Sequence, residues 1–195
     1  MRPARAHRCF GLLFVAAVSR MACGIADAQE PVASTPTAEH QWLQRFVGRW
    51  KAESCTPDGG DQPTMQCTGE VTVRSLGGLW IVSEIKMTMQ GQSTEAVQTI
   101  GYDPKQKQYV GTWVDGMMNH LWRYEGARDA TGNKLMLVAE GPSMTDPNAT
   151  MKYRDSYEFK SADEIVSTAE IQGPDGKWIT FMTGRMTREK PAASD

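Results

Sequence analysis

Little in this chain points to a nucleophile, a metal or a phosphate. It has no Gly-x-Ser-x-Gly, no phosphate-cradling glycine loop and no His-Glu-x-x-His. Three histidines and four cysteines in 195 residues leave few soft ligands, and no second Cys or His pair stands at ligand spacing, so no metal is expected. There is no basic block, and the formal net charge is −2, which argues against nucleic acid or an anionic membrane surface as partner. The one long apolar run, from Cys9 to Val18, is half the roughly 20 residues that a membrane span needs. No internal repeat accompanies the strand pattern, which disfavours a propeller.

What the N-terminus does have is the layout of a secretory signal. Arg2, Arg5 and Arg8 form a basic start, the apolar run follows, and Ala26-Asp27-Ala28 fits a small-x-small cleavage site. Residues 1–28 are expected to be removed and the protein exported. A transit peptide fits less well, because the apolar run is continuous rather than one-faced. Lipoprotein anchoring at Cys23 is a further alternative, disfavoured by Arg20 where a branched apolar residue belongs. Cleavage would take four arginines and one aspartate, moving the net charge from −2 to −5. Residues 29–37 read as a flexible Pro/Ala/Ser/Thr linker, 38–190 as one domain, and 191–195 as a disordered tail.

Cys55 and Cys67 remain after cleavage. They flank Thr56 to Pro63, a stretch of turn-forming residues. Two strands joined by such a loop would bring the sulfurs together, so a disulfide is expected; closing that loop is worth about 3 kcal/mol in the chain-entropy model. Free thiols are the alternative.

Leu43, Phe46, Val47 and Trp50 fall on one helical stripe, with Thr37 placed to cap it and Gly48 to end it. After Gly48 the period changes from 3.6 to 2. Ten strands are predicted, over 49–56, 66–75, 79–89, 93–102, 108–115, 119–127, 134–140, 150–160, 163–171 and 177–188. Turn chemistry separates them, including Gly77-Gly78, Asp103-Pro104 and Gly173-Pro174-Asp175-Gly176. The expected fold is all-β: a ten-stranded antiparallel meander, closed into a barrel to remove its edges, behind a short N-terminal helix.

Gly48-Arg49-Trp50, opening the first strand after that helix, resembles the Gly-x-Trp motif of lipocalins and their calycin relatives. Several further stretches resemble, in order, the bacterial family called domain of unknown function 1579. They are Leu76-Gly77-Gly78-Leu79-Trp80, Gly101-Tyr102-Asp103, Tyr109-Val110 with Thr112-Trp113-Val114-Asp115, Tyr153-Arg154 and Pro174-Asp175-Gly176-Lys177. The resemblance covers about residues 38–190. It implies a calycin-like barrel, and no reaction or catalytic residue. Together with the signal, it implies a periplasmic location. In the lipocalin arrangement Trp50 would lie across the barrel floor under an arginine of the last strand, Arg185 or Arg188.

Barrel strands alternate in and out. The inward sets are read as Tyr109, Gly111, Trp113 and Asp115; His120, Trp122 and Tyr124; and Met151, Tyr153, Asp155, Tyr157 and Phe159. Strand 79–89 leaves its parity open, since Trp80 and Val82 compete with Ile81, Ile85, Met87 and Met89. The lumen is therefore aromatic and rich in thioethers, with Trp113, His120, Trp122, Tyr124, Tyr153 and Tyr157 as ligand contacts. That suits a small hydrophobic or amphipathic molecule. Two alternatives stand beside it. Asp115, His120 and Asp155 could serve an isomerase or lyase as acid and base groups. The same side chains could also fill a dry core and leave an interaction module. No cofactor is expected; haem, held by His120 as in some related ten-stranded barrels, is the alternative. The sequence carries no reading of oligomeric state.

Overall fold

A computed structural model describes residues 34–57, 65–146 and 148–190. The predicted signal, the first part of the linker and the tail lie outside these residues. The fold is a closed, ten-stranded antiparallel β-barrel in simple meander order, sealed by β1 pairing with β10. The strands are β1 Gly48–Cys55, β2 Gln66–Leu76, β3 Trp80–Met89, β4 Gln92–Asp103, β5 Gln108–Asp115, β6 Trp122–Arg128, β7 Lys134–Pro142, β8 Thr150–Phe159, β9 Glu164–Gln172 and β10 Trp178–Arg188. Nine lie within two residues of the ranges read from turn signals. Strand β6 starts three residues late, because the chain from Gly116 to Leu121 loops over the barrel's edge instead of pairing.

One short helix, α1 (Ala38–Leu43), precedes the barrel and tightens into a 3-10 turn over Gln44–Phe46. The expected apolar stripe is split by this change. Leu43 and Phe46 are buried from the helical segment, whereas Trp50 is already in β1. Buried His40 ties the start of α1: its Nδ1 accepts the Thr37 amide at 3.0 Å, satisfying one of the donors a helix start leaves free.

Register settles which residues face inward. Ile81 opposes Ile100, and Ser83 opposes Gln98, so β3 turns Ile81, Ser83, Ile85, Met87 and Met89 into the lumen. Trp80 points out and covers Gly101, where a Cβ would stand 2.4 Å from its ring. Register also removes the expected disulfide. Cys55 pairs with Gln66, and Cys67 with Ser54, so the two cysteines are one position out of step and on opposite faces of the sheet. Both are free thiols, Cys67 buried and Cys55 half-buried beside Thr183.

The odd-numbered strands all run from one end of the barrel to the other. The helical segment sits at the end where β1 begins, and there the core is dense: Leu43, Trp50, Ile81, Ile100, Leu135 and Ile165 are fully buried. Each contributes about 1.5–3 kcal/mol by leaving water.

Candidate functional site

The sealed end explains why the opposite end can be open. Trp50 lies buried across the floor, its indole N–H donating to the Phe46 carbonyl at 2.8 Å. The Arg188 guanidinium stands 4.0 Å from the ring centroid. It also donates to the carbonyls of Val47 (2.7 Å), Arg45 (2.8 Å) and Ala162 (3.0 Å), so one side chain ties the helical segment to the last strand and the β8–β9 turn. Gly48 is required here twice over: its φ is +139°, and a Cβ would come within 2.5 Å of Arg188 Nη1. Arg185, the other arginine considered for this role, points outward and pairs with Glu164 at 3.2 Å.

At the other end the lumen widens into two adjoining lobes of about 380 and 360 Å³, which share Trp113, Met117, Asp155 and Met182. The first runs between β3, β9 and β10, past Ile85, Met87, Met89 and Ala169. The second lies under Trp122, Tyr124, Met144, Tyr153 and Phe181. Seven of the ten methionines after residue 28 line one lobe or the other. Trp122 reaches across β7 because Gly141 lies beneath it; a Cβ there would sit 2.2 Å from the ring. The indole then packs edge-on against Tyr153, with centroids 4.8 Å apart. A wider groove over β1, β2 and β10 near Cys55 and Gln66 has no aromatic lining and lies toward the outer face.

The walls are apolar, and the polar groups are few and mostly paired. Trp113 Nε1 donates to Asp115 at 2.8 Å, and Asp115 also accepts the amides of Met117 and Met118. Asp115 is therefore the anchor of the β5–β6 loop. Tyr153 donates to the Pro142 carbonyl. Where the lobes meet, Tyr124 donates to Asp155, and Gln98 Nε2 donates to the Tyr157 hydroxyl at 3.1 Å. Protein surrounds Asp155 on all sides except the cavity. Burial pushes its carboxyl up from 3.8 to about 6, although the Tyr124 hydrogen bond pulls the other way. Burial likewise raises Tyr124 and Tyr157, reinforced in each case by the negative charge of Asp155.

The residues read from sequence thus divide. Trp113, Trp122, Tyr124, Tyr153, Asp155 and Tyr157 meet around one cavity. His120 does not join them. It precedes β6, packs edge-on against Trp122 and contacts the Glu140 carbonyl at 3.3 Å, beside an outward groove with Arg123 and Lys152. Asp115, His120 and Asp155 therefore do not form an acid–base set. Gln98, Thr94 and Met182 line or floor the site and were not read as site residues. The period-2 pattern Thr94, Ala96, Gln98, Ile100 on β4 was the signal available for the first two. Among the described residues, no group of three or more His, Cys, Asp or Glu is placed to hold a metal ion, and no helix is long and apolar enough to cross a membrane.

The family described as protein of unknown function DUF1579 matches residues 35–188. The chain belongs to this family. No curated protein matches it in sequence. Among solved structures, Rv2717c from M. tuberculosis is similar at 12% identity and a TM-score of 0.57, covering 80% of this chain and 100% of that one. The S-type phycobiliprotein lyase CPES from Guillardia theta is similar at 9% identity and a TM-score of 0.52, covering 80% and 94%. At these identities the likeness is one of fold: this DUF1579 chain shares their barrel.

Proposed function

We propose that this protein is an exported binding protein that holds a small hydrophobic or amphipathic molecule in the open half of its barrel. The observation that carries the reading is the contrast inside one lumen. One end is plugged by α1, Trp50 and Arg188, and the other opens into two lobes whose volumes fall in the range of about 300–1,000 Å³ typical of ligand pockets. Methionine and aromatic walls adapt to an apolar body, and a few polar groups at the lobe junction would orient it. A filled interaction module is disfavoured by the same volumes. The export component rests on the Arg-led apolar N-terminus, and N-terminal sequencing of protein recovered from the periplasm tests it, with Gln29 expected as the first residue.

A thermal-shift screen of flat and chain-like amphiphiles tests the binding component, since a ligand of the folded state raises its stability by mass action. Ala169 faces the first lobe opposite Met182. Ala169→Phe is expected to fill that lobe and abolish the shift. A compound that stabilises both proteins equally, or a screen with no stabilising compound, would count against the reading.

A further inference from the structure

The junction of the two lobes holds a carboxyl with no cation. Asp155 projects from β8 into both lobes. Among the described residues its one hydrogen bond comes from Tyr124, and none of the ion pairs includes it. A carboxylate offers about four acceptor positions. An ionised one surrounded by apolar walls is unfavourable until those positions are filled.

The neighbouring side chains leave those positions open. Tyr157 is occupied with Gln98. Arg185, the one Lys or Arg among the residues lining either lobe, is held on the outer face by Glu164. Asp115, the second carboxyl of the cavity, already accepts three hydrogen bonds. The charge balance of the deep cavity is thus negative, and its spare capacity is for accepting protons.

We infer that the cavity selects a cationic amphiphile: an apolar body lying against Trp113 and Trp122, ending in a protonated amine that meets Asp155. The inference deepens the binding reading above and rests on it. An ammonium supplies up to three N–H donors for the open positions of Asp155, and the surrounding indole and phenol faces attract cations. A carboxylate-headed lipid places like charges together and is rejected. The raised proton affinity of Asp155, at about 6, agrees with a carboxyl that lacks compensation until a ligand arrives.

The test uses three probes with one body: 1-naphthylmethylamine, 1-naphthylmethanol and 1-naphthoate. Each is titrated calorimetrically into the full chain at pH 7.5, first unaltered and then as Asp155→Asn. In the unaltered protein the amine is expected to bind at least 10-fold more tightly than the alcohol, with naphthoate weakest. In Asp155→Asn the amine and the alcohol are expected to agree within 3-fold. Equal binding of amine and alcohol to the unaltered protein overturns the inference and leaves the binding pocket standing, as does an amine preference that survives Asp155→Asn. Failure of all three probes to bind overturns both. The first comparison needs no variant, so it stands whether or not Asp155→Asn folds.

Discussion

The two halves of this barrel are built from the same ten strands and the same alternation, yet they are filled differently. In the sealed half the inward positions hold Ile81, Ile100, Leu135, Ile165 and Trp50, packed against Leu43 and Phe46 from outside the sheet. In the open half they hold Met87, Met89, Met182 and Trp113 around space. The difference comes from what lies across the end. The sealed end has a helical segment and an arginine that binds it down; the open end has loops carrying exposed Met117, Met118 and Met144. Alternation makes a lumen, and a plug turns half of it into a core.

The sharpest way to break that contrast is to remove one inward side chain from each half. Trp50→Ala is expected to cost about 3–5 kcal/mol in urea unfolding, because a fully packed indole leaves a cavity. Met182→Ala should cost less than about 1.5 kcal/mol, since its neighbours already border open space. Equal losses would mean that the two halves are packed alike. Next in size is Arg188→Lys, expected to cost about 2–3 kcal/mol. A lysine cannot reach three carbonyls in a planar fork, and buried acceptors are then left unpaired.

A third change should go the other way. Asp155 binds its proton more tightly folded (about 6) than unfolded (near 3.8). Its contribution to stability is therefore full below about pH 4 and is lost as pH rises through about 6. The expected loss is about 1–2 kcal/mol. Asp155→Asn should accordingly raise the melting temperature at pH 7 and flatten the profile between pH 4 and 7. A lowered melting temperature at pH 7 would show that the carboxylate is compensated in the folded state. The smallest effect concerns the cysteines: in the chain without residues 1–28, Cys55 and Cys67 should give two titratable thiols after air oxidation and denaturation, and Cys55→Ser should stay within about 0.5 kcal/mol of the parent.

Much of this contrast could not be read in advance. Strand number and inward parity were legible wherever one face was plainly polar, as on β8, where Lys152, Arg154, Ser156 and Glu158 alternate with Met151, Tyr153, Asp155 and Tyr157. They were illegible on β3, where Trp80 is apolar for a different reason, covering Gly101 from outside. The cysteine pairing failed because a loop of turn residues says that two strands are adjacent but does not give their register. His120 was misplaced because a single residue before a strand has no parity until pairing begins at Trp122. Filled and open lumen look alike in sequence, since both are lined by apolar residues. The plug that separates them depends on Arg188 reaching residues 141 and 143 positions away.

That long reach also has a consequence for the order of assembly. Each hairpin from β2 to β9 can form as its two strands emerge, since every one pairs with its neighbour in the chain. The seam cannot. Strand β1 needs β10, and the guanidinium that lies over the indole of Trp50 belongs to Arg188, the last residue of β10. During synthesis, then, the ring cannot close until the residues of β10 are available. Those residues both close the ring and lock the plug, so completion of the barrel is a single late event.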